Sequence, residues 1–249
     1  MNITTQANAA AYDTHAQAWY EHTKRNEKYR FLEKPAMETL LPSDLSGKNV
    51  LCIGVGSGEE LGTLLARNPR HIVAIDISQR LLDITHEQYP EVECMCVDMM
   101  ELADRVDTLF DLVYSSLAFH YTRDWDALLA GVHRVLRPGG TLLFSTHHPG
   151  YWAKNPTGAS HTNKRGVKLT EHTATLPGGV GITYYSHTST DALQEALHHT
   201  GFTVERAFAP DVVSVPPHTL TPALRKRYEN LVRTNQETPL FWVVGARKA

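Results

Sequence analysis

Charge of one sign, long apolar runs and cysteine are all scarce in this sequence, and each scarcity removes a class of function. Across 249 residues, 24 Lys and Arg stand against 27 Asp and Glu, a formal net charge of -3, so no general basic field exists to hold a nucleic-acid backbone. No DNA partner is expected, and no RNA partner. Apolar runs are a handful of residues long, well short of the roughly 20 that span a bilayer, so no membrane partner is expected. No cationic, apolar leader opens the chain, which points to a cytoplasmic protein. The cysteines are Cys52, Cys94 and Cys96. An odd count with a C-x-C pair is a poor disulfide framework and, without further ligands, a poor zinc site. His161, His172, His187, His198 and His199 also lack the i, i+4 spacing that gathers metal ligands, so no metal is expected.

What the sequence does have is an alternation of apolar runs and amphipathic stretches, organised around Val50 to Gly62, VLCIGVGSGEELG. Val50 to Ile53 reads as a buried parallel strand that runs into Gly54, Gly56 and Gly58 and then a helix start. Bare backbone at those glycines admits a ligand or a second chain segment where a Cβ would clash. The next apolar run, His71 to Ile75, ends in Asp76, where an α/β nucleotide site places a carboxylate for ribose hydroxyls. A dinucleotide fingerprint would need its third glycine at position 59, which is Glu59. Glu59 and Glu60 also stand where a phosphate would be repelled, so the turn suits a ligand without pyrophosphate.

The G-x-G-x-G turn, with Asp76 closing the following strand, resembles motif I and the acidic loop of the class I S-adenosylmethionine-dependent methyltransferases. Further landmarks occur in the same order. Val92 to Val97 reads as the third strand and ends in Asp98-Met99, a pair similar to the family's adenine contacts. FDLVYSSLAFHY, from Phe110, resembles the small-molecule form of motif IV. Enzymes that methylate base amino groups usually carry Asn or Asp, two prolines and an aromatic there, and Ser115-Ser116-Leu117-Ala118 does not. Asp124 to Val135 reads as an amphipathic helix ended by Leu136-Arg-Pro-Gly-Gly140, with a strand over Thr141 to Ser145, a close likeness to the family's L-R-P-G-G-x-L-L-F segment. The resemblance spans Asn49 to Pro149.

The implied fold is α/β, a Rossmann-like class I methyltransferase sheet of seven strands with the last antiparallel. Residues 1–46 are expected to form an N-terminal helical lid and 47–149 the cofactor core. Residues 150–187 read as an inserted cap, with a hairpin of Val167 to Leu176 and Val180 to Tyr185 turning through Pro177-Gly178-Gly179. Residues 188–249 complete the core, with a helix over Thr188 to His199, strands at Phe202 to Phe208 and Pro239 to Gly245, and a helical insertion at 210–238 centred on Pro222 to Arg233. Its basic run Arg225, Lys226, Arg227 reads as a solvated face.

By this resemblance the cofactor is S-adenosyl-L-methionine, leaving as S-adenosyl-L-homocysteine, and the acceptor is a small molecule methylated on O or N. Gly54, Gly56 and Gly58 would frame its amino-acid part, Asp76 and Ile77 its ribose, Asp98 and Met99 its adenine, with Ser115 beside the sulfonium. The Y-D-x-x-A-x-x-x-Y pattern from Tyr12 to Tyr20 is similar to the lid of small-molecule methyltransferases, which puts Tyr20 on the cofactor and Tyr12 on the acceptor. His120, after the fourth strand, is the first candidate general base and His148 the second; Tyr121 and His147 are expected to meet the acceptor. Three rivals are an RNA-modifying methyltransferase, which would need a basic surface, an NAD(P)-dependent oxidoreductase, and a cofactor-binding protein without turnover.

Overall fold

The computed structural model describes residues 1–153, 158–162, 166–176, 181–187 and 189–249. In chain order the elements are α1 (Ile3–Thr23), α2 (Lys34–Glu38), β1 (Asn49–Ile53), α3 (Leu61–Leu65), β2 (His71–Asp76), α4 (Gln79–Gln88), β3 (Glu93–Cys96) and α5 (Leu102–Arg105). Then come β4 (Phe110–Ser115), α6 (Trp125–Val135), β5 (Leu136–His147), α7 (Pro149–Ala153), β6 (Ser160–Thr162), β7 (Lys168–Thr175) and β8 (Gly181–His187). The chain ends with α8 (Thr190–His199), β9 (Phe202–Phe208), α9 (Pro222–Glu237) and β10 (Phe241–Lys248).

Seven strands form one sheet in the order β3-β2-β1-β4-β5-β10-β9. β1 to β5 run parallel, while β10 lies antiparallel to both β5 and β9, the antiparallel pair expected at one sheet edge. Side chains alternate across the strands. Leu51, Ile53, Val73 and Ile75 enter one core layer with α6 and α8 residues such as Trp125, Leu128 and Leu193. Val50, Cys52, Ile72 and Ala74 enter the other with Met37, Leu61, Leu64 and Leu82. Burial on both faces is why these strands read as unbroken apolar runs.

Local capping follows the sequence. Ser78 accepts a hydrogen bond from the Leu81 N–H at the head of α4, Asp124 does the same for Ala127 at α6, and Ser189 for Ala192 at α8. The Leu136-Arg-Pro-Gly-Gly140 segment differs from expectation. It is extended and belongs to β5, with Leu136 paired to Phe110 and Thr141 to Leu112, so residues 137–140 bulge opposite Asp111. Helix α9 runs a turn further than the periodicity suggests, because Leu231 and Asn235 are buried, and the Asn235 side chain bonds Pro210 O and Leu240 N.

β6, β7 and β8 make a separate three-stranded antiparallel sheet, and the expected Pro177-Gly178-Gly179 turn lies outside the described residues. α1 lies between this sheet and α4. Tyr12 and Ala16 pack with Leu81 on one side and Leu176 and Ile182 on the other. α1 is kinked at His15, whose φ/ψ of -114 and 17 degrees are non-helical. The segment 210–238 packs instead on Phe31 and Leu32, with Leu220, Leu231 and Leu240 in the same cluster. No helix among the described residues is long and apolar enough to cross a membrane.

Candidate functional site

The parallel strands deliver Gly54, Asp76, Asp98, Ser116 and His147 at or just beyond one edge of the sheet, where open α/β sheets receive ligands. α1 and the small sheet roof that edge and enclose a cavity of about 680 Å³. One set of lining residues comprises Gly54, Gly56, Asp76, Ile77, Asp98 and Met99, and another comprises Tyr12, His120, Tyr121, His147, Tyr184 and Phe241.

In the first set the glycine turn is braced from three sides. The Gly54 and Val55 N–H groups donate to Ile75 O at 2.8 and 3.1 Å. Thr85 Oγ1 donates to Gly56 O at 2.9 Å, and Gln88 Nε2 to Ser57 O at 3.2 Å. Asp76 accepts from the Gly56 N–H on one carboxylate oxygen and from the Ser78 N–H on the other, each at 2.9 Å. Burial raises the Asp76 pKa, and the backbone donors of Ser78, Gly56 and Ile77 oppose the rise. A carboxylate has about four lone-pair sites, so both oxygens retain capacity toward a ligand. Asp98 accepts from the Met100 N–H at 3.0 Å and keeps its other oxygen.

In the second set the groups are rings. The imidazoles of His120 and His147 are stacked with centroids 4.3 Å apart, and Tyr184 meets His120 edge-on at 5.7 Å. The Tyr12 and Tyr121 hydroxyls bond each other, and Tyr12 meets Trp19 edge-to-face at 5.2 Å. Burial drives the His120 pKa well below its ordinary value, with His147 adding to it, and burial together with Lys28 and His172 pushes His147 down to about 3. Both rings are neutral at pH 7.

A methyltransferase-domain family model matches residues 51–144 of this chain. Residues 51–144 thus resemble a methyltransferase domain. Among relatives, an uncharacterized protein of Haemophilus influenzae is 33% identical over 125 residues, covering 47% of this chain and 49% of its own. A malonyl-[acyl-carrier protein] O-methyltransferase of Marinomonas sp. is 30% identical over 155 residues, covering 59% of this chain and 56% of its own. The chain thus spans about half the length of these curated relatives. A solved DhpI-SAM-HEP complex is 16% identical, with a TM-score of 0.68 over 99% of both chains, a likeness of fold.

Of the residues expected at the site, Tyr12, Gly54, Gly56, Asp76, Ile77, Asp98, Met99, His120, Tyr121 and His147 share the cavity. Four expected site residues do not line it. Tyr20 donates its hydroxyl to Gln88 Oε1 at 3.0 Å and lies under the Lys24 ammonium; one residue earlier in the helical phase, Trp19 faces the cavity instead. Gly58 has φ of +85 degrees, and a Cβ there would meet Tyr89, Leu61 and Thr85 at 3.2 to 3.3 Å, so this glycine serves packing. Ser115 is fully buried and donates to Ile53 O at 3.0 Å, tying β4 to β1. His148 accepts from the Gly150 N–H on Nδ1 at 3.1 Å and packs on Trp242, which makes it a turn residue.

Glu33 is the residue that sequence reading passed over. It closes the π-helical turn Tyr29–Glu33 and is wholly buried, accepting from Ser145 Oγ at 2.6 Å and Ser116 Oγ at 2.9 Å. Ser145 Oγ in turn accepts from the N–H of Leu117, which holds a left-handed φ of +49 degrees at the cavity wall. Burial raises the Glu33 pKa to about 7 despite the two serines. Its sequence signal is faint, since an acidic residue in an amphipathic stretch reads as solvated. Among the described residues no group of three His, Cys, Asp or Glu could hold a metal ion.

Proposed function

We propose that the protein is an S-adenosylmethionine-dependent methyltransferase acting on a small-molecule acceptor, with the Asp76-braced glycine turn holding the cofactor. The observation that carries this reading is continuity: one cavity runs from bare backbone at Gly54 and Gly56, past Asp76 and Asp98, to the stacked imidazoles of His120 and His147. The residues present fit the cofactor. A Cβ at Gly56 would meet nothing closer than Trp19 Nε1 at 3.9 Å, so space beside that backbone is open. When bound, the cofactor supplies a methyl carbon made electrophilic by positive sulfur.

The chain's own residues supply the rest. Asp76, with Ile77 beside it, receives ribose hydroxyls on its remaining lone pairs, and Asp98 with Met99 receives the adenine. Asp76, Asp98, Glu59 and Glu60 give the cavity acidic lining residues, which suits a ligand carrying a cation. Trp19 and Tyr12, on α1, cover the site and limit water. Tyr121 and His147 align the acceptor, and alignment alone is worth about 7–11 kcal/mol. His120 takes the acceptor's proton, which adds two to four powers of ten by general base catalysis, on the order of 3–5 kcal/mol. The Marinomonas relative's name, an O-methyltransferase, supports oxygen as the receiving atom.

Calorimetry with S-adenosylhomocysteine and with NADH tests the reading. Uptake of the former and not of NADH is the expected result. Preference for NADH, or no uptake of S-adenosylhomocysteine at millimolar concentration, would overturn it.

A further inference from the structure

The acceptor end of the cavity carries more chemical information than its size. Its walls are ring faces and edges. His120 touches His147 at 4.3 Å and Tyr121 at 4.4 Å, and Tyr184 stands edge-on to it. His147 also lies nearly parallel to Phe241, 20 degrees apart at 6.1 Å. Such walls favour a flat, π-bearing ligand over a branched or extended one.

Charge narrows the choice. Among the described residues, the ionisable groups seen to shift these rings are His147 for His120 and Lys28 and His172 for His147, and none of the three is a carboxylate. Asp76 reaches Tyr121 electrostatically, but it is not among the groups that shift either imidazole. An alkylammonium acceptor would find rings and a neighbouring lysine there, with no carboxylate facing it. A carboxylate acceptor, already without its proton at neutral pH, would need no base and would leave the His120 ring with no proton to receive.

The proton acceptor is defined by accessibility. His120 is 4% exposed, and its Nδ1 is buried without a partner among the described residues, so a ligand in the cavity reaches this ring through Nε2. The neighbouring phenols cannot serve as bases. Burial pushes the Tyr121 hydroxyl up to about 12 and raises that of Tyr12 well above its ordinary value, so both keep their protons.

We propose that the acceptor is a neutral aromatic hydroxyl compound, a phenol or a hydroxylated heteroaromatic, whose O–H is received by Nε2 of His120. The proposal rests on the methyl-transfer reading above. The phenol oxygen forms its new bond to the methyl carbon as the carbon–sulfur bond breaks, with that electron pair remaining on sulfur. The phenol proton passes to His120 Nε2 and then to water, so one proton is released for each methyl transferred.

Binding of phenol, followed by calorimetry with S-adenosylhomocysteine at saturation, tests this against benzoate and benzylamine. The phenol is expected to bind at least about tenfold more tightly than either analogue, the worth of one well-formed buried hydrogen bond. His120→Phe, which keeps a ring in the stack, should lose that preference while S-adenosylhomocysteine affinity stays at the wild-type value. Equal or tighter binding of the benzoate or benzylamine, unchanged phenol binding by His120→Phe, or no phenol uptake at millimolar concentration would each overturn the proposal. Failure to bind S-adenosylhomocysteine removes the methyl-transfer reading and this inference together, whereas cofactor binding without a phenol preference removes this inference alone.

Discussion

The side chain of Asn8 pairs with the backbone of Thr183 in both directions, its Nδ2 donating to Thr183 O at 2.7 Å and its Oδ1 accepting from the Thr183 N–H at 2.9 Å. A single asparagine thus does for the outer edge of β8 what a neighbouring strand would do, and it fastens α1 to the small sheet over the cavity. The other attachment of α1 is Asp13, which accepts from Ser78 Oγ at 2.7 Å and from the Arg80 N–H at 3.1 Å at the head of α4. The kink at His15 lies just beyond Asp13.

Asn8→Ala should therefore release the edge of β8 with little effect on the seven-stranded core. Hydrogen exchange at the Thr183 amide is expected to quicken at least about tenfold, since a lost hydrogen bond of this kind is worth roughly 1 kcal/mol or more. Asn8→Asp should loosen it as well, because a carboxylate cannot donate to the Thr183 carbonyl. Exchange at the wild-type rate in both variants would show that the pairing holds nothing.

Asp76→Asn is expected to weaken the glycine turn along with ligand binding. The amide nitrogen would face one of two backbone donors, Gly56 N–H or Ser78 N–H, and leave it unmet. The cost is about 1–3 kcal/mol of stability. Urea denaturation alongside S-adenosylhomocysteine calorimetry checks this; a change in affinity with none in stability would assign Asp76 to the ligand alone.

Gly54→Ala places a Cβ 2.3 Å from the Cβ of Ala118 at a φ of +68 degrees. Overpacking and backbone strain together should cost about 2–4 kcal/mol. Ala118→Gly in the same chain should restore part of that loss by removing the clash, while the strain remains. No recovery in the double variant, measured by urea denaturation, would show that strain and not contact with Ala118 sets the cost.

Glu33 gives the fold a pH dependence of definite sign. Its pKa is about 7 when folded against 4.5 as the ordinary value, so between those limits the native chain holds a proton that the unfolded chain releases. Rising pH then favours unfolding. The contribution of Glu33 is most favourable below 4.5, falls through the window and levels off above about 7, a loss on the order of 3 kcal/mol. Glu33→Gln removes the titration and should flatten that part of the stability curve; an identical slope in the variant would place its origin elsewhere.

Short-range pattern was enough for the core. β1 and β2 were legible to within one residue, because a strand buried on both faces must be apolar throughout. The caps at Ser78, Asp124 and Ser189 rest on chemistry that is local to each helix start. Trp19 against Tyr20 was not legible, since the helical stripe gives two adjacent aromatics and only the packing of α1 on α4 and β8 fixes which one turns inward. Ser115 ends β4 and His148 follows β5, and each makes a hydrogen bond with backbone, Ser115 to Ile53 O and His148 Nδ1 from Gly150 N–H.

By itself the sequence determined the alternation of strand and helix, the sheet edge at which ligands gather and the acids at Asp76 and Asp98, because each depends on neighbours a few residues away. Only the tertiary structure decided what the cavity is made of. The Glu33 carboxyl is held by serines 83 and 112 residues distant, and the His120 ring is enclosed by β5 and β8. Burial of a titratable group is a property of everything packed around it, and no local stretch of chain encodes that.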